Sequence, residues 1–284
     1  MSDPLVSVVV PVLDGGTGLA RCLDALHGQS GSVPFEVVVA DNGSRDGSAD
    51  LARAHPVSPE VVTEPRRGSY AARNAGIAVA RGGFVAFTDA DCIPVADWVV
   101  QGVAALESAS VIGGQVHPHR SAQPSVWERY DSAIYLQQED LVRFQGYAAT
   151  ANLWVRREVL DVVGGFDPDL QSSGDLEWGH RAAASGFPTA YGEEVIVEHA
   201  PRTTAAQTWR LHRRLGAGWA VLREDYPELR EALSLPLGAV IDAVAADGPA
   251  LRRRQLAPVH LVASAARRYG WLSQRTSRRA RTEP

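Results

Sequence analysis

Short unbroken apolar runs alternate along this chain with segments whose apolar residues recur every three or four positions. Leu5–Leu13 is the first run, broken only by Ser7 and Pro11 and ending in Asp14-Gly15-Gly16. It reads as a strand buried on both faces, followed by a turn. Leu19, Leu23 and Leu26 then recur at helical spacing. Phe35–Ala40 predicts a second strand, closing on Asp41-Asn42-Gly43-Ser44, and Asp46–Ala54 predicts a helix capped by Ser44 or Asp46. Val61–Thr63 is a short strand, Glu64–Ser69 a loop, Tyr70–Ala80 an Ala-rich helix and Phe84–Thr88 the next strand. Alternation at this spacing predicts βαβ units and a parallel, doubly wound sheet over about the first 100 residues.

Further on, Trp98–Leu106 reads as a helix, Val111–Val116 as a strand and Ser125–Val142 as one helix. Ala148–Val155 predicts a strand leading into a helix over Arg156–Val163, then a turn at Gly164-Gly165-Phe166-Asp167-Pro168. A helix over Asp175–Ser185 ends at Gly186, a residue suited to the left-handed position after a helix. Val195–Val197 is strand-like and leads to His199. After Thr203 the pattern is helical: Trp209–Glu224, Glu228–Ala246 with a break at Pro236, and Pro258–Trp271, followed by a frayed tail from Ser273.

The chemistry gathers at strand ends. In an open α/β sheet, ligands sit beyond the C-terminal ends of the strands, and Asp14, Asp41 and Asp89 all fall there. Phe84–Thr88 runs directly into Asp89-Ala90-Asp91, two carboxylates spaced i, i+2. Such a pair is poorly placed for a core. It suits a hard cation such as Mg²⁺ or Mn²⁺, which takes carboxylate oxygens together with those of a bound phosphate. An isolated triplet of this kind also reads as a solvated turn; acids at three independent strand ends favour the ligand reading.

Composition narrows the options. The chain has 284 residues, 45% hydrophobic and 21% charged, enough for one large or two modest domains. Cys22 and Cys92 form neither a metal-type pair nor a disulfide framework, as expected in a reducing cytosol. Val6–Leu13 lacks the basic flank and cleavage site of a secretory signal, and no apolar run approaches the roughly 20 residues of a membrane span. We therefore expect a cytoplasmic protein. Every cationic side chain is arginine, which removes a Schiff-base or P-loop lysine from consideration. The net charge of −5 divides unevenly: residues 201–284 carry 15 Arg against 7 acids, and the first 200 carry 13 against 26. A basic end on an acidic body fits an anionic partner or a peripheral, salt-sensitive contact with the inner face of a membrane, and equally a set of solvated helices. No aromatic-interleaved basic stretch suggests nucleic acid.

Gly16-Thr17-Gly18 and Asp41 invite comparison with a dinucleotide-binding turn, but Arg21 stands where the third glycine belongs. A different resemblance runs through the chain. Val6-Ser7-Val8-Val9-Val10-Pro11-Val12, Asp41-Asn42-Gly43-Ser44-Arg45-Asp46-Gly47, Ala71-Ala72-Arg73-Asn74-Ala75-Gly76 and Asp89-Ala90-Asp91 occur in order, followed by Gly164-Gly165-Phe166-Asp167, Gly174-Asp175-Leu176-Glu177-Trp178 and Val197-Glu198-His199. Together, over roughly residues 5–202, they resemble family 2 glycosyltransferases of the GT-A fold. That resemblance implies an α/β protein with a doubly wound, mainly parallel sheet and a C-terminal helical extension. It divides the chain into a catalytic domain over 1–202 (nucleotide-binding half 1–98, acceptor-binding half 99–202) and an Arg-rich extension over 203–284.

The resemblance also implies inverting transfer of a sugar from a nucleoside diphosphate, usually UDP, to an acceptor hydroxyl with Mn²⁺ or Mg²⁺. Asp41 would accept the uracil N3–H, and Pro11, Val12 and Asp14 would line base and ribose. Arg73 would meet the nucleotide, Asp89 the ribose or a metal-bound water, and Asp91 and His199 the metal. Asp175 would be the base, kept ionised by its place at a helix start. Asn152, Trp154 and Trp178 would lie toward the acceptor, although tryptophans suit a core equally well. One departure stands out: the family usually has Glu before this aspartate, and here it is Gly174. It keeps open a second reading, a nucleotide-sugar-binding protein with weak or lost catalysis. The sugar, the acceptor and the oligomeric state are not legible.

Overall fold

Seven consecutive buried residues form β1 (Val6–Val12), with no alternation of burial because both faces are covered. The computed structural model describes residues 5–229 and 253–282, with side chains over 5–229 and 258–274. Around β1 lie β2 (Phe35–Asp41), β3 (Glu60–Thr63) and β4 (Phe84–Thr88), all parallel. They are joined through α1 (Gly16–His27), α2 (Ser48–Ala54) and α3 (Ser69–Val79). This is the predicted βαβ half, with strand order β3-β2-β1-β4.

The second half of the sheet is antiparallel where it meets the first. Here β7 (Asn152–Arg156) pairs antiparallel with β4, and β6 (Val111–Pro118) pairs antiparallel with β7. The sheet then continues through β8 (Thr189–His199) to β5 (Cys92–Pro94), an antiparallel pair, giving the order β3-β2-β1-β4-β7-β6-β8-β5. The sequence showed the strand at 148–155 but not its direction, which depends on a neighbour more than 60 residues away. Between these strands come α4 (Trp98–Ala105), α6 (Gln138–Gln145), α7 (Arg157–Val163) and α8 (Gly174–Ala184). The single helix expected over 125–142 is two helices, α5 (Val126–Ile134) and α6, parted where Leu136 takes φ 55°. A capping box of Ser125 and Glu128 starts α5.

The chain forms two compact units: residues 1–117, 138–169 and 174–199, which hold the sheet, and residues 118–137, 170–173 and 200–284. The second is helical, with α5, α9 (Ala205–Asp225), a 3₁₀ turn at Pro227–Leu229 and α10 (Arg253–Thr282). Tyr130, Val259 and Ala263 form its core with Val126, Trp127, Ala133 and Ile134. The last helix starts five residues before the expected Pro258, which lies inside it, and continues past the expected end. The helix expected over 228–246 and its break at Pro236 lie mostly outside the described residues. No helix among the described residues is long and apolar enough to cross a membrane.

Two glycines let α9 and α10 approach closely. A Cβ on Gly270 would stand 1.9 Å from the Arg213 carbonyl oxygen, and one on Gly216 would stand 2.0 Å from that of Arg267. Both obstacles are backbone, so relief requires the helices to separate. Gly270→Ala is therefore expected to destabilise the helical unit by about 1–3 kcal/mol, read as a lower thermal midpoint, despite the better helix propensity of alanine. An unchanged or raised midpoint would contradict this packing.

Candidate active site

The register of β1 against β2 sets Val12 beside Asp41, so the two strand ends open at the same edge. Two short loops are stitched together there. Asp14, at φ 52°, donates its N–H to Ser44 Oγ (2.9 Å), and its carboxylate accepts from the Arg45 N–H (2.7 Å). Asp41 is only 5% exposed and accepts from the Ser44 N–H at 3.2 Å. Pro11 and Val12 are buried in β1, whereas Asp14 is exposed. Asn42, which the sequence did not single out, holds the following loop. Its amide donates to the carbonyls of Glu64 (3.0 Å) and Arg66 (2.7 Å) and accepts from the Gly68 N–H (2.8 Å). The only sequence signal was an Asn immediately after a strand-end Asp.

Arg73 belongs to α3 and is 3% exposed. Its Nη2 donates to Asp89, its Cζ lies 5.6 Å from the Tyr70 ring centroid, and its buried Nε has no partner. It is not a helix-surface arginine; its guanidinium is held at the end of β4. Beyond Asp89 the chain turns into β5, where Cys92 pairs with His199 at the end of β8. That pairing sets His199 Nε2 3.5 Å from Asp91 Oδ2. The histidine is buried and the carboxylate is 63% exposed, so the pair sits at the surface edge of the sheet. Among the described residues no third His, Cys, Asp or Glu completes a cage around a cation.

Asp175 is the second residue of α8 and half-buried. Tyr70 donates its hydroxyl to Asp175 Oδ1 (3.3 Å), which also accepts from the Leu176 N–H (3.1 Å). Burial pushes the carboxyl above its ordinary value, and the nearby Arg73 and these hydrogen bonds only partly offset the shift. Desolvation thus outweighs the favourable charges around it. Tyr70 itself is fixed by an aromatic cluster, with Phe166 5.7 Å away and Phe166 in turn 5.4 Å from Phe87 and 5.5 Å from Trp178. Asn74 holds Phe166 in place, donating to its carbonyl (2.7 Å) and accepting from its N–H (2.9 Å).

Gly174 is explained by the same tyrosine. A Cβ there would stand 2.8–3.0 Å from three atoms of the Tyr70 ring, so the ring occupies the room a larger residue would need. Glu177 and Arg181, one turn apart, pair with each other (2.7 Å). Arg181 also donates to the carbonyls of Val163 (2.5 Å) and Gly165 (2.9 Å), clamping the turn before α8.

Three expected acceptor-side residues are placed in the core instead. Asn152 is fully buried and spends its amide on Trp98 Nε1 (3.0 Å) and the carbonyls of Gln115 (2.8 Å) and Val195 (2.7 Å). Trp154 is 0% exposed against Trp98, with ring centroids 4.6 Å apart. Trp178 is 1% exposed and donates to the Gly164 carbonyl (2.9 Å). Buried aromatic rings contribute much hydrophobic area, which suits Trp154 and Trp178 to the core, whereas Asn152 is held there by its hydrogen bonds. What the fold does join is a chain of contacts, Asp89–Arg73–Tyr70–Asp175, from the end of β4 to the start of α8.

Comparison with known proteins agrees with this layout. Residues 7–166 match the profile described as glycosyl transferase family 2. Glycosyltransferase AglE of Haloferax volcanii is 33% identical over 246 residues, which cover 84% of this chain and 81% of that protein. The pre-mycofactocin glycosyltransferase of Mycobacterium tuberculosis is 27% identical over 253 residues, 83% of this chain but 51% of that protein. Among solved structures, the mannosyltransferase PcManGT from Pyrobaculum calidifontis, in complex with GDP-Man and Mn²⁺, matches with a TM-score of 0.64 at 22% identity, covering 96% of this chain and 88% of that one. S. aureus TarS 1-349 in complex with UDP-GlcNAc matches at a TM-score of 0.55 and 16% identity, covering 97% and 92%. With a mixed sheet of GT-A type, ordered motifs along its strand ends and a family match over more than half its length, the chain belongs to glycosyl transferase family 2 and is a glycosyltransferase.

Proposed function

We propose that this glycosyltransferase moves a hexose from a UDP-sugar to an acceptor hydroxyl with inversion, using a divalent metal. The observation that carries the reading is Asp175, a carboxylate whose basicity is raised by burial and which is tied through Tyr70 and Arg73 to the acids at the end of β4. An inverting transfer needs one base on the acceptor side to take the hydroxyl proton as the new bond forms. Asp175 fills that role better than an ordinary surface acid would.

The donor belongs at the strand ends. Asp41 accepts the uracil N3–H, Pro11, Val12 and Asp14 border base and ribose, and Arg73 and Asp89 face the ribose–diphosphate side. Asp91 and His199 fit a metal: one anionic oxygen and one imidazole at 3.5 Å, near the spacing of adjacent ligands around a small dication. A cation held by so few protein ligands is completed by substrate phosphates and water, as is usual for Mg²⁺. When bound, Mn²⁺ or Mg²⁺ supplies Lewis-acid stabilisation of the departing diphosphate. PcManGT was solved with GDP-Man and Mn²⁺ and TarS with UDP-GlcNAc, so GDP-sugars are the competing donors. The acceptor hydroxyl approaches from the Asp175 side, and the site of action is the cytoplasm. The weak-catalysis reading rested on Gly174; Tyr70 packs against that glycine and donates to Asp175, which favours a working base.

A thermal-shift screen of nucleotide sugars with and without Mn²⁺ tests the donor assignment, since binding raises the midpoint by mass action. A UDP-sugar should raise it in the presence of Mn²⁺. A larger rise with GDP-sugars would move the donor class, and no rise with any nucleotide sugar would sink the proposal.

Tyr70→Phe separates position from chemistry. The phenol hydrogen bond lowers the Asp175 pKa, so its loss raises that pKa further. The acid limb of the transfer–pH profile should then move to higher pH, while the rate well above the limb falls by about tenfold or less. An unmoved limb would show that Tyr70 only packs.

A further inference from the structure

Among the described residues of the helical unit, one largely buried cation has no carboxylate partner. Arg267, in α10, lies largely buried with its Cζ 5.7 Å from the Trp219 ring centroid, and its Nη2 is fully buried without a hydrogen-bond partner. Arg202, also largely buried, shows what is missing. It donates to both carboxylate oxygens of Asp131 (3.2 Å each) and stacks on Tyr135 at 4.1 Å.

Among the described residues no buried acid is left over for Arg267. Among the described residues the buried carboxylates of this unit are Asp131 and Glu128. Asp131 is committed to Arg202, whose backbone N–H it also accepts. Glu128 is committed to the N–H groups of Ser125 (2.8 Å) and Ser121 (3.2 Å). A guanidinium taken out of water without a partner is strongly unfavourable, and buried charges are as a rule paired.

A second orphan lies beside it. His212 of α9 is 3% exposed, and neither of its ring nitrogens has a partner. Burial together with Arg267, Arg202 and His260 pushes its pKa down to about 3, so it is neutral with one N–H unused. Tyr130 stands between the imidazoles, its ring centroid 6.3 Å from His212 and 6.2 Å from His260. Its hydroxyl is 3.1 Å from His260 Nδ1, and His260 Nε2 is 3.3 Å from Ser264 Oγ. Among the described residues the groups acting on His212 are thus the cations Arg267 and Arg202, His260 and the Tyr130 ring.

We propose that the helical unit binds a phosphate-type oxyanion at the Arg267–His212–Tyr130 cluster. A planar guanidinium suits such a group, and a tetrahedral anion has oxygens enough to take the unused donors of Arg267 and His212 together with the Tyr130 hydroxyl. The surplus of 15 Arg over 7 acids across residues 201–284 draws anions toward this unit. The phosphate belongs either to a free small molecule or to a lipid headgroup; the recognition chemistry is the same. This inference does not depend on the donor proposal.

The test uses the full chain, with histidine imidazole resonances followed by NMR during titration with inorganic phosphate and, in parallel, with a monomeric short-chain alkyl phosphate, at constant ionic strength. A bound anion stabilises the imidazolium form, so the His212 pKa should rise from its depressed value. Arg267→Gln should weaken binding by about tenfold or more, and Arg267→Met, which removes the unpaired charge, should fold at least as stably as the parent while losing the response. Equal affinity for both probes assigns the free phosphate group; tenfold tighter binding of the alkyl phosphate assigns a lipid headgroup. His212 resonances unmoved by either probe, or a response retained in Arg267→Gln, would overturn the proposal.

Discussion

Asp175→Asn should lower sugar transfer by roughly 10²-fold or more while leaving donor affinity near that of the parent. Asparagine keeps the size of the side chain and an oxygen for the Tyr70 hydroxyl and the Leu176 N–H, both of which Asp175 Oδ1 accepts. What it cannot do is take a proton. The stability change carries its own sign. A carboxyl whose folded-state pKa is raised favours the folded state when protonated, and that contribution is lost as pH rises through the folded pKa. At neutral pH the ionised Asp175 therefore costs stability, and the asparagine variant should melt at the same temperature or higher. Loss of activity with equal or greater stability is the mark of a strained catalytic group. Transfer in the parent should fall on acidification through a pKa above the usual aspartate range. A variant with near-normal turnover would return Asp175 to the role of a helix-start acid.

Asp91→Ala should abolish the metal dependence of nucleotide binding. The carboxylate reaches solvent at the edge of the sheet, 3.5 Å from His199, and in the proposed site it would be the anionic ligand. Titration calorimetry of UDP with and without Mn²⁺ checks this. The parent should bind at least tenfold more tightly with the metal, and the alanine variant should show the same weak affinity in both conditions. Full activity of the parent in EDTA would remove the metal from the account.

The strand ends were legible in sequence because β1, β4 and most of β2 are buried on both faces and read as largely apolar runs. Asp41 and Asp89-Ala90-Asp91 stand just where those runs stop, so their position at one edge of the sheet followed from pattern alone. The antiparallel half was less legible. The direction of β7 depends on pairing with β4, and the short β5 is held by β8, more than 90 residues on. Tryptophan was the least informative signal. Trp154 and Trp178 serve a cleft or a core equally well by type, and only their neighbours Trp98 and Phe166 decide for the core. The environment of Asp175 could not be read at all, since Tyr70 lies 105 residues away. Gly174 looked like a lost glutamate in sequence; in the fold it is the space that lets Tyr70 reach Asp175. The orphan pair Arg267 and His212 was hidden for a like reason, because burial without a partner is a property of three packed helices and of no single segment.

Proton NMR of the anomeric signals during turnover of an α-linked UDP-hexose, with Mn²⁺ and water as acceptor, tests the central claim most directly. Donor loss should be matched by release of UDP, with the free sugar appearing first as the β-anomer before mutarotation, and Asp175→Asn should suppress both. First appearance of the α-anomer, or no consumption of any nucleotide sugar in the presence of metal, would contradict an inverting transferase built on Asp175.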